Sequence, residues 1–129
     1  MIDQIRKSVA EFIRLVPSMS QPKEFTHTVT EVQDKARAWN NKWSASPGVY
    51  VFISRECIQY VGKAMSSTGL AARVNNGAQE GETAWNGYLA DPSAVVVILE
   101  VSSQDEIWVP SLEYYLIKSL QPSFNKRLG

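Results

Sequence analysis

Residues 48–73 read GVYVFISRECIQYVGKAMSSTGLAAR, and this stretch decides the fold. Two apolar runs, Val49 to Ile53 and Ile58 to Val61, flank a four-residue polar connection from Ser54 to Cys57. β-Branched and aromatic runs joined by so short a connection predict a β-hairpin. Side chains alternate along a strand, so Tyr50 and Phe52 share one face while Val49, Val51 and Ile53 take the other. The same period places Tyr60 on a face with Ile58. Pairing across the hairpin then brings Tyr50 and Tyr60 to one side of the sheet, with Gly62 and Lys63 just past the strand end.

Downstream, Ser67 or Thr68 suits the cap of a short helix from Leu70 to Val74, stopped by Asn75, Asn76 and Gly77. That helix carries Arg73. Gly62-Lys63 does not belong to a nucleotide-binding P-loop, which needs Gly at 57 and Ser or Thr at 64, where Cys57 and Ala64 stand. Residues 77–93 carry little periodic signal, with Trp85, Tyr88 and Leu89 suggesting a packed turn or short helix. Ala94 to Val101 predicts a third strand, and its nearly unbroken apolar run calls for helices on both faces of the sheet. Pro110 suits the start of a helix over 110–120, whose core stripe is Leu112, Tyr115, Leu116 and Leu120. Glu113 lies beside that stripe. A carboxylate so near apolar neighbours needs either a route to water or a cation.

Upstream, Ile5, Val9, Phe12, Ile13 and Val16 follow one helical face, with Asp3 as N-cap and Pro17 as the stop. Residues 17–30 have no period and read as a loop, in which His27 stands far from any second metal ligand. Thr30 and Gln33 match a capping box for a helix over 30–43, with Val32, Ala36, Trp39 and Trp43 as its packing stripe. The Trp pair also suits base stacking, but a core role is the commoner use of such a stripe. Residues 1–47 thus read as a two-helix extension packed on a core formed by residues 48–129.

Composition sets the outer bounds. The chain has 129 residues, 44% of them hydrophobic, which suits one globular unit. Its longest apolar run, Ala94 to Leu99, is too short to span a bilayer, and no secretion signal opens the chain. The single cysteine, Cys57, forms no internal disulfide, so a cytoplasmic location without membrane attachment is expected. Thirteen basic and thirteen acidic residues cancel, with a net +2 over residues 1–47 and −2 over 48–129. A tight, nonspecific duplex binder carries a basic face, because phosphate neutralisation drives its affinity. The balance here points to short contacts, or to a partner that supplies more.

A phenol pair beside Lys63 and Arg73 suits phosphate chemistry. The triplets Gly48-Val49-Tyr50 and Tyr60-Val61-Gly62, followed by Lys63 and Ala64, resemble the GIY-YIG nuclease superfamily. There the triplets are followed by an Arg, a helical Glu and an Asn near the domain end; this chain offers Arg73, Glu113 and Asn125 in that order. The resemblance covers residues 48–128. The YVGKA stretch is most similar to the excision-repair incision subunits of the superfamily, whereas the longer spacer from Tyr60 to Arg73 is closer to its small restriction enzymes. Where many members carry His or Tyr one turn after the Arg, this chain has Gly77. No helix-hairpin-helix or zinc-finger domain is expected beyond Gly129.

The resemblance implies an α+β domain with a small, mainly antiparallel three-stranded sheet flanked by helices. It also implies metal-dependent hydrolysis of DNA phosphodiester bonds. Glu113 would hold a single Mg²⁺ or Mn²⁺, hard cations suited to oxygen ligands. Arg73 would grip a phosphate oxygen with its planar donor fork. A tyrosine would serve as general base, its phenol near pKa 10 helped toward phenolate by Lys63. Tyr50 is taken as that base and Tyr60 as an orienting group. Gly62, Asn125, Lys126 and Arg127 would meet the substrate. A DNA-targeting protein partner fits the neutral charge. The alternative class is a non-catalytic module that uses the same fold to bind nucleic acid or protein.

Overall fold

The hairpin strands are longer, and the turn tighter, than the apolar runs suggest. In a computed structural model of the protein, which describes residues 1–28, 31, 45–70, 91 and 93–123, the strands run Gly48–Ser54 (β2) and Cys57–Ala64 (β3). Only Arg55 and Glu56 connect them, at φ 54° and 60°. Two successive left-handed residues match the right-handed twist of a hairpin. Asp91 fastens the turn from outside, accepting from the Ser54 hydroxyl at 2.8 Å and the Arg55 amide at 2.9 Å. It also accepts from the Ser93 amide and hydroxyl, and these donors together hold its carboxyl well below the usual range.

The register slips by one between Phe52 and Ile53, leaving Gln59 as an extra residue on β3. This bulge corrects the simple period. Ile58 pairs with Ile53 on one face, while Tyr60 pairs with Phe52 on the other, so Tyr60 and Ile58 do not share a face.

Among the described residues the sheet has four strands rather than three, in the order β1-β4-β2-β3, with every pairing antiparallel. Val95–Glu100 (β4) and β2 are central, which explains their continuous apolar runs. The fourth strand is Lys23–Thr28 (β1), paired with β4 inside the segment that reads as a loop. Its sequence, KEFTHT, lies on an edge, has no deeply buried position and so shows no apolar alternation. Residues 1–28 therefore supply both a helix and an edge strand to the hairpin's sheet.

One face is covered by Ile2–Leu15 (α1) and Val109–Leu120 (α2), the latter entered through a 3-10 turn at Ser103–Trp108. Ile5, Val9 and Phe12 of α1, with Leu112, Leu116 and Ile117 of α2, pack on Val49, Val51, Ile53, Val61, Val97 and Leu99. Each such side chain, fully buried, contributes about 1.5–3 kcal/mol. The Tyr115 hydroxyl donates to Glu11 at 2.9 Å, and the Ser119 hydroxyl to that of Ser8 at 3.0 Å, tying the two helices together. Met1 occupies the N-cap position of α1 rather than Asp3, which instead lies 3.6 Å from Arg6. Arg6 also reaches Glu24 on β1 at 2.8 Å. On the opposite face Tyr50, Phe52, Val96, Ile98 and Leu70 are all buried. The helices described lie on the first face only.

The capping box near residue 30 falls two positions earlier than expected. Glu31 accepts from the amide and hydroxyl of Thr28, and its own amide donates to the Thr28 hydroxyl. The expected stripe of Val32, Ala36, Trp39 and Trp43 lies outside the described residues, as do Trp85 and Tyr88. Among the described residues no helix is long and apolar enough to cross a membrane.

Candidate active site at the edge strand

The two motif glycines are explained by what lies against them. A Cβ on Gly62 would stand 2.5 Å from the Tyr50 phenol oxygen and 2.7 Å from Cε2. The Tyr50 ring therefore crosses directly over the Gly62 backbone, and its hydroxyl end reaches edge strand β3. A Cβ on Gly48 would collide with the carbonyl oxygen of Leu99 on β4. Gly62 is thus a strand residue and not the strand's end, because only glycine leaves room for the ring.

Tyr50, Phe52 and Tyr60 form one aromatic cluster. The ring centroids of Tyr50 and Tyr60 are 6.1 Å apart, and Phe52 sits 5.8 Å and 6.4 Å from them. Their environments differ. Tyr50 is 4% exposed, whereas Tyr60, on the edge strand, is partly exposed.

Lys63 follows Gly62 and pairs across the sheet with Val49, so its side chain leaves on the opposite face, toward α2. There its ammonium lies 3.3 Å from Oε1 of Glu113, fifty residues away in sequence. The side chains are 40% and 13% exposed. Three contacts fix how α2 lies along β3. Glu106, just before the helix, holds Ser66; Glu113 meets Lys63; and the Ser123 amide, just after it, donates to the Ile58 carbonyl at 3.3 Å. The helix thus runs antiparallel to the strand and ends with Gln121 in a left-handed conformation, φ 48°.

The loop after β3 is held from both sides. Glu106 accepts from the Ser66 hydroxyl at 2.6 Å and the Ser66 amide at 3.0 Å, and these donors lower its pKa. Gly69 turns the chain at φ 84°, and the Leu70 amide donates to the Ser46 carbonyl at 2.9 Å. Sequence reasoning missed Glu106, and also Asp105, which accepts from the Ser20 amide at 3.0 Å. Acidic residues one turn before Pro110 were the available signal.

Of the residues expected to act together, two groups are assembled on either side of the Gly62–Lys63 peptide: Tyr50 with Tyr60, and Lys63 with Glu113. Arg73, Asn125, Lys126, Arg127 and Gly77 lie outside the described residues. Among the described residues no group of three or more His, Cys, Asp or Glu side chains converges on a metal position. Among the described residues a cation beside Glu113 would find that one carboxylate, and a single protein carboxylate completed by water or phosphate is a common arrangement for Mg²⁺.

No protein-family model matches the sequence, and no curated protein sequence matches it. Solved structures do match by fold. A point mutant of the GIY-YIG N-terminal endonuclease domain of UvrC from Thermotoga maritima, bound to its catalytic divalent cation, superposes with a TM-score of 0.52. The match has 21% identity over 75% of this chain and 97% of that one. The same domain with magnesium gives a TM-score of 0.51 at 21% identity, covering 74% and 96% of the two chains. A second point mutant gives 0.51 at 23%, covering 73% and 98%. The resemblance carried by the paired triplets is met in three dimensions: this chain has the fold of the GIY-YIG endonuclease domain.

Proposed function

We propose that the chain is a metal-dependent endonuclease that hydrolyses DNA phosphodiester bonds at the edge of β3. The observation that carries this reading is Glu113. The fold brings this largely buried carboxylate to 3.3 Å from Lys63, across β3 from the tyrosine cluster, in a domain type whose solved examples hold a catalytic divalent cation. Glu113 already accepts a cationic partner there, and its hard oxygens suit Mg²⁺ or Mn²⁺. Such an ion, when bound, supplies charge stabilisation to phosphoryl oxygens and acidifies a bound water.

The chain's own residues divide the remaining work. Tyr50, the base favoured from sequence, is packed over Gly62 and nearly inaccessible. A general base has to reach a water in line with the phosphorus, so we assign that proton to Tyr60, the partly exposed member of the pair. Tyr50 then sets the Tyr60 ring and the backbone at Gly62. Lys63 balances the charge of Glu113 instead of serving mainly to polarise a phenol. Arg73 is assigned the phosphate clamp, and Asn125, Lys126 and Arg127 the substrate contacts, on the strength of the resemblance alone. Even overall charge favours a short DNA contact or a DNA-targeting protein partner.

The test uses supercoiled plasmid and single-stranded DNA with Mg²⁺, Mn²⁺ or EDTA. Wild type is expected to nick or cut with metal and not with EDTA. Glu113→Gln, which keeps the shape and removes the charge, is expected to lose at least about a hundredfold in rate. Its melting temperature should move little, because a neutral amide needs no counter-ion and Lys63, 40% exposed in its side chain, keeps its access to water. DNA binding without cleavage under every metal condition would establish the binding-module alternative instead.

A further inference from the structure

The pairing of Lys63 with Glu113 has a consequence for how a cation reaches the site. Glu113 is 13% exposed in its side chain, on a helix whose Leu112, Leu116 and Ile117 are buried, so its carboxylate has little access to water. A carboxylate so placed needs a positive neighbour. Lys63 provides one at 3.3 Å, on a long flexible stem whose side chain is 40% exposed. We propose that Lys63 is the resident counter-ion of Glu113 and yields the carboxylate to a divalent cation, so that ammonium and metal ion compete for one site. This rests on the assignment of Glu113 as metal ligand.

Two features make the exchange workable. The backbone at Lys63 is fixed, because Gly62 lies under the Tyr50 ring and Ala64 is buried. The ammonium stands at the end of four rotatable bonds from that backbone, on a side chain that is 40% exposed. A divalent ion within coordination distance of Glu113 would repel an ammonium left in place. Lys63 then turns outward from α2, still anchored beside the tyrosine cluster, as a positive charge available to an anion at the strand edge. The pair thus keeps Glu113 neutralised before the cation arrives, and exposes one basic group when it does.

The experiment measures binding of Mn²⁺ alone to the full chain, counting free ion by electron paramagnetic resonance. Wild type, Lys63→Met, Lys63→Arg and Glu113→Gln are compared, each checked for native melting. Lys63→Met removes the competitor and should bind Mn²⁺ about fivefold tighter or better, the factor that corresponds to a pair worth about 1 kcal/mol. Lys63→Gln, a polar replacement, should do the same if the Met variant folds poorly. Lys63→Arg keeps the charge and should stay near wild type. Glu113→Gln should lose the site. Equal or weaker binding by both neutral variants, with Glu113→Gln still lost, overturns the exchange and leaves Glu113 as ligand. Wild-type binding by Glu113→Gln overturns the ligand assignment and the exchange with it.

Discussion

The two faces of β3 on either side of the Gly62–Lys63 peptide are built for opposite tasks. On one, Tyr50 lies over Gly62 at 4% exposure, against Phe52 and Tyr60. On the other, one residue along, Lys63 and Glu113 meet under α2 with part of both side chains in water. Aromatic rings gain from burial, whereas a fully desolvated ion pair gains little and costs much when broken. The packed face therefore fixes the backbone to which the charged face is attached. The proposed chemistry at this edge draws on both, and a strand edge is where side chains from the two faces can converge on one ligand.

If that division holds, the two tyrosines are unequal. Tyr60→Phe should lower the cleavage rate by about two to four orders of magnitude, the usual worth of a general base. Tyr50→Phe keeps the ring over Gly62 and should cost far less. Single-turnover cleavage of one oligonucleotide by both variants checks this. A loss confined to Tyr50→Phe would return the base to the buried phenol and undo the contrast between the faces. Binding should barely change in either, because phosphate contacts come from Lys and Arg.

Glycine substitutions probe the packed face itself. Gly48→Ala drives a Cβ into the Leu99 carbonyl, a backbone atom that yields only if β2 and β4 part. Gly62→Ala pushes instead on the Tyr50 ring, a side chain with some freedom to tilt. Overpacking of this kind costs about 1–3 kcal/mol, and we expect Gly48→Ala at or above the upper end and Gly62→Ala below it. At roughly 4 °C per kcal/mol, thermal melts separate the two. Gly62→Ala should additionally slow cleavage, since the ring it displaces sets Tyr60. Full activity there would show that the aromatic cluster does not position the edge strand.

The legible and illegible parts of the molecule divide along the same physical line. The hairpin, β4, α1 and α2 were readable because each buries a face, and burial imposes a period on the sequence. Thus Val49, Val51 and Ile53 took the predicted side, in the core under α1 and α2. The edge strand β1 was not readable: Glu24 and Thr26 answer to Arg6 and to solvent, and a half-exposed strand needs no apolar alternation. Gly62 misled in another way. Read as a strand breaker, it hid that Lys63 is inside β3 and therefore faces away from Tyr50 and Tyr60. The Gln59 bulge was equally invisible, since nothing in Ile58-Gln59-Tyr60 marks an extra residue. Only the ordered set of motif residues linked Lys63 to Glu113, and it did so without indicating that they form an ion pair.

The smallest expected effect sharpens the charged side. Glu106 clamps Ser66 with two charge-assisted hydrogen bonds, at 2.6 Å and 3.0 Å, and so ties the loop leaving β3 to the turn that starts α2. Those donors favour the carboxylate and lower its pKa from the ordinary 4.5. A carboxyl whose folded pKa is depressed stabilises the fold above the unfolded value and loses that contribution as pH falls through the folded one. Glu106→Gln keeps the shape and an acceptor for the Ser66 amide but has no charge to lose. Wild type should therefore melt slightly higher than Glu106→Gln at pH 6–7, with the gap closing as pH drops below 4.5. Asp91 and Glu31, also depressed, titrate alike in both proteins and cancel from the difference. A gap that stays constant down to acid pH would mean that Glu106 holds the loop by shape alone. The charge on this side of β3 would then matter only at Lys63 and Glu113.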